Sequence, residues 1–516
     1  MTSSARITCG QHERSVSAAQ ERAARIATAL DSVGVGVGQG DRVAIVMRNE
    51  VAFIELTLAV SLLGAAPVPI NWHWTGDDLA HALTDSGAKV AVVHSDLLPN
   101  VQERAGDDVI IVEAGVPMEV ARAYGLQIPE ITGELPLLEQ WSTAPEPWSQ
   151  PAQPAPMSVI YTSGTTGRAK GVLRNPIKDE NRSAVVSTVA ELFQLKPGGT
   201  TVIPAPLYHS APNVHAMFAL AMGMNVHLMA KFDAEELLQL IEEHRVDSLQ
   251  VVPTMFNRLL QLSPHQRAAY DLSSLTAIVH AAAPCPPHVK AAIIDWLGPI
   301  VHEYYGGAEI GAFTACNSAE ALSHPGTVGR PIGDADIRIL DEEGVEVPDG
   351  TDGQIYGRCF TGWPDFTYIG DDAKRRAMER DGYLSLGDIG HFKDGYLYLS
   401  DRLNDMVVSG GVNIYPAEIE GVLLELDGVG DAAVFGIPDP DLGEVIAAYI
   451  EPTPDADLDA EEIRAHVAAR LARYKVPREV VVVDSLPRED TGKLFKRRLR
   501  EPYWRDAAEL TATEAR

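Results

Sequence analysis

Cysteine is scarce and scattered. The chain holds four, Cys9, Cys285, Cys316 and Cys359, with no C-x-x-C pair and no histidine at ligand spacing. That pattern argues against a disulfide framework and a structural zinc site, and fits a reducing, cytoplasmic compartment. Positive charge is also short: 42 basic against 72 acidic side chains leave a formal net charge of -30. A nucleic-acid binder working through broad attraction to phosphates is disfavoured by that balance. Long apolar runs are missing. The opening residues, MTSSARITCGQHERS, lack the apolar centre of a signal peptide, and the stretch over 51–70 is interrupted by Glu55, so no transmembrane segment is expected. Tandem repeats and single-residue tracts are absent, which disfavours solenoid and low-complexity architectures.

What is present suffices for buried cores: 516 residues, 46% of them hydrophobic. That length allows roughly three to five domains, or one large fused body with a smaller partner. Residues 15–30 read as an amphipathic helix, 42–47 as a strand, 51–64 as a helix, 66–70 as a strand, 77–86 as a helix and 89–94 as a strand. After a proline-rich connection at 147–156, strands are expected at 157–162, 201–205, 225–229 and 248–252, with helices at 215–222 and 234–244. This alternation predicts an α/β fold with largely parallel, buried strands. Beyond Arg330, short strands between Asp and Gly turns predict a smaller β-rich part, and beyond Asp401 the pattern restarts as a separate α+β unit.

Residues 161–171 read YTSGTTGRAKG directly after an apolar strand. Gly164 and Gly167 can bring backbone N–H groups close to an anion, Ser163, Thr165 and Thr166 add hydroxyl donors, and Lys170 adds a mobile positive charge. Such a set suits a polyphosphate, although a plain Ser/Thr/Gly surface turn has the same composition. The spacing is not that of a Walker-type loop, because the lysine falls three residues after Gly167.

Together with YYGGAE at 304–309, YLSLGD at 383–388, DRLNDMVVSGGVNIYPAEIE at 401–420 and PREDTGK at 487–493, in that order, the loop resembles the signature of the acyl-adenylate-forming superfamily, most closely the acyl-CoA synthetases. The resemblance implies a large multi-subdomain N-terminal adenylation body, residues 1–402, with a small mobile C-terminal α+β domain, residues 403–516. It implies an ATP-dependent, AMP-forming ligase that carries a hydrophobic carboxylic acid through acyl-AMP to its CoA thioester, with ATP and Mg2+ as cofactors and CoA as co-substrate. A fatty acid, an aryl acid or a sterol side-chain acid each fits. A transient peripheral membrane contact and a homodimer are compatible with it. Two alternatives stay open: an adenylation enzyme loading a carrier-protein thiol, and a non-catalytic nucleotide-binding protein.

By the same resemblance, Thr162, Ser163, Gly164, Thr165, Thr166, Gly167 and Lys170 cradle the ATP phosphates. Ala282, Ala283 and Pro284 wall the adenine and acyl pocket, Tyr305 stacks on adenine, Asp388 holds the ribose, and Arg402 contacts ribose or phosphate. Glu309 engages Mg2+. Lys493 stabilises charge during adenylation, beside Lys170, Thr166 and Glu309, and Asn404 is the hinge. His209, Ala211 and Tyr304 border the acid, and Gly410 and Gly411 line the pantetheine path. Three departures stand out: Ala308 replaces the usual threonine, Asn404 the usual aspartate or lysine, and the alanines at 281–283 the usual glycines. Backbone in that last segment must therefore be held in less permissive conformations. Cys285 reads as a packed side chain rather than a nucleophile. Met217, Met222 and Met224 could shape an acyl pocket or fill the core equally well. The basic tail at Lys496, Arg497, Arg498 and Arg500 reads as a solvated face or an ion-pair network.

Overall fold

A computed structural model describes residues 5–32, 34, 36–162, 168–403, 405–453, 456–488 and 494–514, with side chains as far as 505. The predicted α/β alternation is present. Strands Arg42–Val46, Ala66–Pro69, Val90–His94 and Ile110–Ala114 form a four-stranded, wholly parallel sheet. Between the first two runs the helix Val51–Leu62, which is largely buried. The Glu55 that interrupts its apolar sequence is buried too, paired with Arg14 at 2.8 Å and Arg22 at 3.0 Å. Two arginines thus neutralise the charge that burial would otherwise make costly.

A 15-stranded sheet forms the middle of the molecule. Its parallel centre consists of Thr200–Ile203, Asn225–Leu228, Ser248–Val251, Ala277–His280 and Val301–Gly307. The hairpin Arg6–Cys9/His12–Ser15, which the sequence pattern did not suggest, adds its first strand parallel to Asn225–Leu228. The β-rich part is not a separate layer. Strand Thr327–Pro331 pairs with Gly311–Asn317 on one edge and Tyr396–Arg402 on the other, so the hydrogen-bonded ladder runs unbroken from the parallel centre into the antiparallel strands. Gly329 makes that junction at φ +99, where a Cβ would lie 2.1 Å from the Ala315 carbonyl oxygen.

A third, small sheet is antiparallel throughout: Ile160–Thr162, Lys170–Arg174 and Phe366–Tyr368, with Lys170–Arg174 in the middle. The C-terminal strands form a fourth sheet, five-stranded and built around the long hairpin Val429–Asp439/Gly443–Pro452. Its core includes Ile414, Ile419, Leu423 and Val434. One helix begins earlier than its periodicity suggests. It spans Ser210–Ala221 rather than starting at residue 215, because Pro212 falls in the first turn, where a missing N–H breaks no intrahelical bond.

Candidate active site

The C-terminal ends of the parallel strands open onto a cavity of about 410 Å³. Such a place is the usual ligand crevice of an open α/β sheet, because the loops there are free of the ladder. Its lining includes the apolar Val189, Leu192, Phe193 and Phe360 as well as the polar Thr162, Glu309 and Arg402. Among the described residues, His209, Ala211, Ala282 and Tyr304 complete the set of expected ones that reach it. His209 stands at the N-cap position of Ser210–Ala221 and Ala211 in its first turn. Tyr304 packs edge-on against Phe193, and Gln250 Nε2 approaches its hydroxyl at 3.5 Å.

Glu309 follows directly on the strand Val301–Gly307. Its Oε1 accepts hydrogen bonds from Thr162 Oγ1 at 2.8 Å and Tyr368 Oη at 3.1 Å. Among the described residues Oε2 has no donor. The main chain here is held separately: the Arg174 guanidinium donates to the carbonyls of Ala308 at 2.5 Å, Glu309 at 2.9 Å and Pro364 at 2.8 Å. Burial pushes the Arg174 pKa down to about 10, and no carboxylate forms an ion pair with it among the described residues. Three carbonyls accept from it, the rings of Trp363 and Phe366 lie 5.1 and 5.9 Å away, and the charges of Cys359, Glu309 and Asp365 offset part of the burial.

Asp388 is buried behind Arg402. Its Oδ1 accepts from Arg402 Nε at 3.1 Å and its Oδ2 from Tyr305 Oη at 2.6 Å. Burial, and then the Asp388 charge, drive the Tyr305 phenol pKa far up, so this hydroxyl is a fixed donor. For Arg402, burial lowers the pKa but the charges of Asp388 and its neighbours outweigh it, and the net direction is upward. The Tyr305 ring packs with Phe313 and Leu397 rather than among the cavity-lining side chains.

The alanine-rich loop pays for its missing glycines. Ala282 has φ +75, a left-handed conformation that the chain reaches at only a few non-glycine positions and that costs an L-residue with a Cβ about 1–2 kcal/mol. Ala283 and Pro284 follow it outside the cavity lining. Beneath the loop lies a buried Lys290–Glu303 ion pair. Burial and Glu303 push the Cys285 thiol up to about 12, which leaves it protonated and unreactive. Met217, Met222 and Met224 all pack with the main core cluster.

Other expected residues lie elsewhere. Lys170 pairs with Asp371 at 3.2 Å and does not line the cavity. Gly410 and Gly411, at φ +57 and +81, form the two-residue turn of the hairpin Val407–Ser409/Val412–Ile414 in the C-terminal sheet, a turn that requires positive φ at both positions. Ser163, Gly164, Thr165, Thr166, Gly167, Asn404 and Lys493 lie outside the described residues. In the basic tail, Lys496 pairs with Glu420 at 2.8 Å and Arg497 with Glu501 at 2.8 Å, as an ion-pair network would. Sequence reasoning missed Arg174 and Tyr368. Strand alternation held a signal for the first, since Arg174 falls on the same face as the buried Val172.

No cluster of three or more His, Cys, Asp or Glu among the described residues could hold a metal by itself. Glu309 alone, with one oxygen engaged and the other without a donor among the described residues, suits a Mg2+ ion that takes its remaining ligands from phosphates and water. No helix among the described residues is long and apolar enough to cross a membrane.

Residues 4–359 match the AMP-binding enzyme family, and residues 418–493 match the AMP-binding enzyme C-terminal domain. The long-chain-fatty-acid–CoA ligase FadD13 of Mycobacterium tuberculosis is 31% identical over 489 residues, covering 95% of this chain and 92% of that one. Feruloyl-CoA synthase of an Amycolatopsis species is 32% identical over 487 residues, covering 93% of this chain and 92% of that one. Among solved structures, the amide bond synthetase McbA from Marinactinospora thermotolerans superposes with a TM-score of 0.83 at 25% identity, covering 97% of both chains.

Proposed function

The chain belongs to the AMP-binding enzyme family, and from that premise we propose that it is an acyl-CoA synthetase that joins a hydrophobic carboxylic acid to CoA through an acyl-adenylate. The observation that carries this reading is a single cavity whose lining combines apolar side chains, Val189, Leu192, Phe193 and Phe360, with Thr162, Glu309 and Arg402. An acid's hydrocarbon part can dock on the first while the nucleotide meets the second.

In the first half-reaction a carboxylate oxygen attacks the α-phosphorus of ATP and pyrophosphate leaves, giving acyl-AMP. No protein nucleophile is needed. The chain's contribution is alignment and charge: the segment that follows Thr162 takes the phosphates, with Lys170 joining it only after leaving Asp371, Arg402 and Asp388 take the ribose, Ala282, Ala283 and Pro284 border the base with Tyr305 holding Asp388 from beneath, and Lys493 meets the charge that develops on the transferred group. Bound at Glu309, Mg2+ supplies neutralisation of phosphate charge. In the second half-reaction the CoA sulfur attacks the acyl carbon, its proton passes to solvent, and AMP leaves. Rotation of residues 403–516 about Asn404 would bring Gly410 and Gly411 to the thiol's path. His209, Ala211 and Tyr304 border the acid. A cytoplasmic location and a homodimer belong to the same proposal.

The two relatives act on a fatty acid and an aryl acid by name, which supports a test panel spanning both chemistries. Each acid is incubated with ATP and Mg2+, with and without CoA, and pyrophosphate, AMP and thioester are measured. Acid-dependent AMP release that rises with CoA, accompanied by a thioester, is the expected result. Pyrophosphate release without transfer to CoA would redirect the second step to a carrier-protein thiol, and ATP binding with no acid-dependent turnover would overturn the reading.

A further inference from the structure

The small antiparallel sheet touches Glu309 through every one of its strands. Ile160–Thr162 contributes the Thr162 hydroxyl to Oε1, and Phe366–Tyr368 contributes the Tyr368 phenol to the same oxygen. The middle strand Lys170–Arg174 contributes the Arg174 guanidinium to the main-chain carbonyls of Ala308 and Glu309. A flexible loop carboxylate would sample many rotamers. This one has one oxygen saturated by two hydroxyls and its own backbone gripped from behind.

Arg174 is an expensive way to grip a backbone. A buried cation loses its hydration, and nothing in its surroundings repays that loss with a carboxylate ion pair. A planar fork, however, can reach carbonyls on two separate chain segments in fixed directions, here residues 308–309 and Pro364, which a lysine's point charge does not reproduce. The Pro364 contact ties the Glu309 turn to the segment that leads into Phe366–Tyr368, the strand that supplies the phenol. Carboxylate and phenol are therefore located by the same guanidinium.

We propose that Arg174 and Tyr368 are positioning residues for Mg2+·ATP: by fixing the Glu309 turn and occupying Oε1, they present Oε2 as the open ligand. This rests on the reading of Glu309 as the magnesium residue. Outer partners of a metal-binding carboxylate set its orientation, and their loss costs roughly 10- to 100-fold in metal affinity.

The test compares ATP binding with and without Mg2+ by calorimetry on the full chain, together with the Mg2+ dependence of acid-driven pyrophosphate release. Tyr368→Phe removes one hydroxyl and is expected to cut the Mg2+-dependent gain in ATP affinity by about tenfold, leaving metal-free ATP affinity within about twofold. Arg174→Met is expected to do the same, and Arg174→Lys to recover only part of the loss. Should Arg174→Met fail to fold, Tyr368→Phe decides alone. An undiminished Mg2+ gain in Tyr368→Phe, or equal losses with and without Mg2+, overturns the proposal. If Glu309→Gln itself keeps the full Mg2+ gain, the magnesium assignment fails instead, and the two failures are told apart.

Discussion

At Ala282 a single methyl group stands where the resemblance leads one to expect a glycine, and the backbone is left-handed all the same. Two effects oppose each other in Ala282→Gly: relief of about 1–2 kcal/mol of local strain, against roughly 0.5–1 kcal/mol of added freedom in the unfolded chain. Relief wins narrowly. Ala282→Gly should therefore stabilise the large part by about 0.5 kcal/mol, read from the urea midpoint, whereas the β-branched Ala282→Val should cost about 2 kcal/mol. A side chain's place at the cavity was readable in advance where a motif carries it, as with Glu309 and Arg402. The internal partners were not, because Tyr368 meets Glu309 across 59 positions of sequence and Arg174 meets it across 135, and periodicity reports a face without saying what faces it.

Among elements, six of the parallel strands, from Arg42–Val46 to Ser248–Val251, were legible because each is a short apolar run bounded by turns, whereas Ile110–Ala114, Ala277–His280 and Val301–Gly307 were not placed. The joining of the antiparallel strands to them was not legible either. It depends on Thr327–Pro331 pairing on both edges, with a register shift between Thr327 and Gly329. A Cβ at Gly329 would overlap the Ala315 carbonyl, and no rotamer can avoid a Cβ clash with backbone. Gly329→Ala should cost about 3 kcal/mol or more, and limited proteolysis should then cut between the parallel centre and the strands beyond it. Protection equal to wild type would mean that the two parts do not depend on that junction.

Across the whole molecule, the end of the large sheet is fastened to the C-terminal unit through Asp401. Its Oδ2 accepts from the Ala417 N–H at 3.0 Å and its Oδ1 from the Arg402 N–H at 2.7 Å. Burial raises its carboxyl to about 6, against the pull of Lys496 and these two amides. A raised folded pKa means that this group's contribution to stability is fully present below its unfolded value of 3.8 and is lost as pH rises through about 6. Asp401→Asn removes the charge but keeps only one of the two acceptors, so its melting temperature relative to wild type should be lowest near pH 4 and rise by a few degrees between there and pH 8. A difference independent of pH would refute the assignment.

The three-stranded sheet around Glu309 also dictates when the site can exist. Its Arg174–Pro364 bond closes 190 positions of sequence, and the loss of chain entropy in such a closure comes before any contact rewards it. On a ribosome the strands Ile160–Thr162 and Lys170–Arg174 emerge long before Phe366–Tyr368, which completes their sheet. A nascent chain halted ahead of residue 366 would carry those two strands without the phenol that orients the carboxylate, and would be unable to spend ATP before the enzyme around it is built.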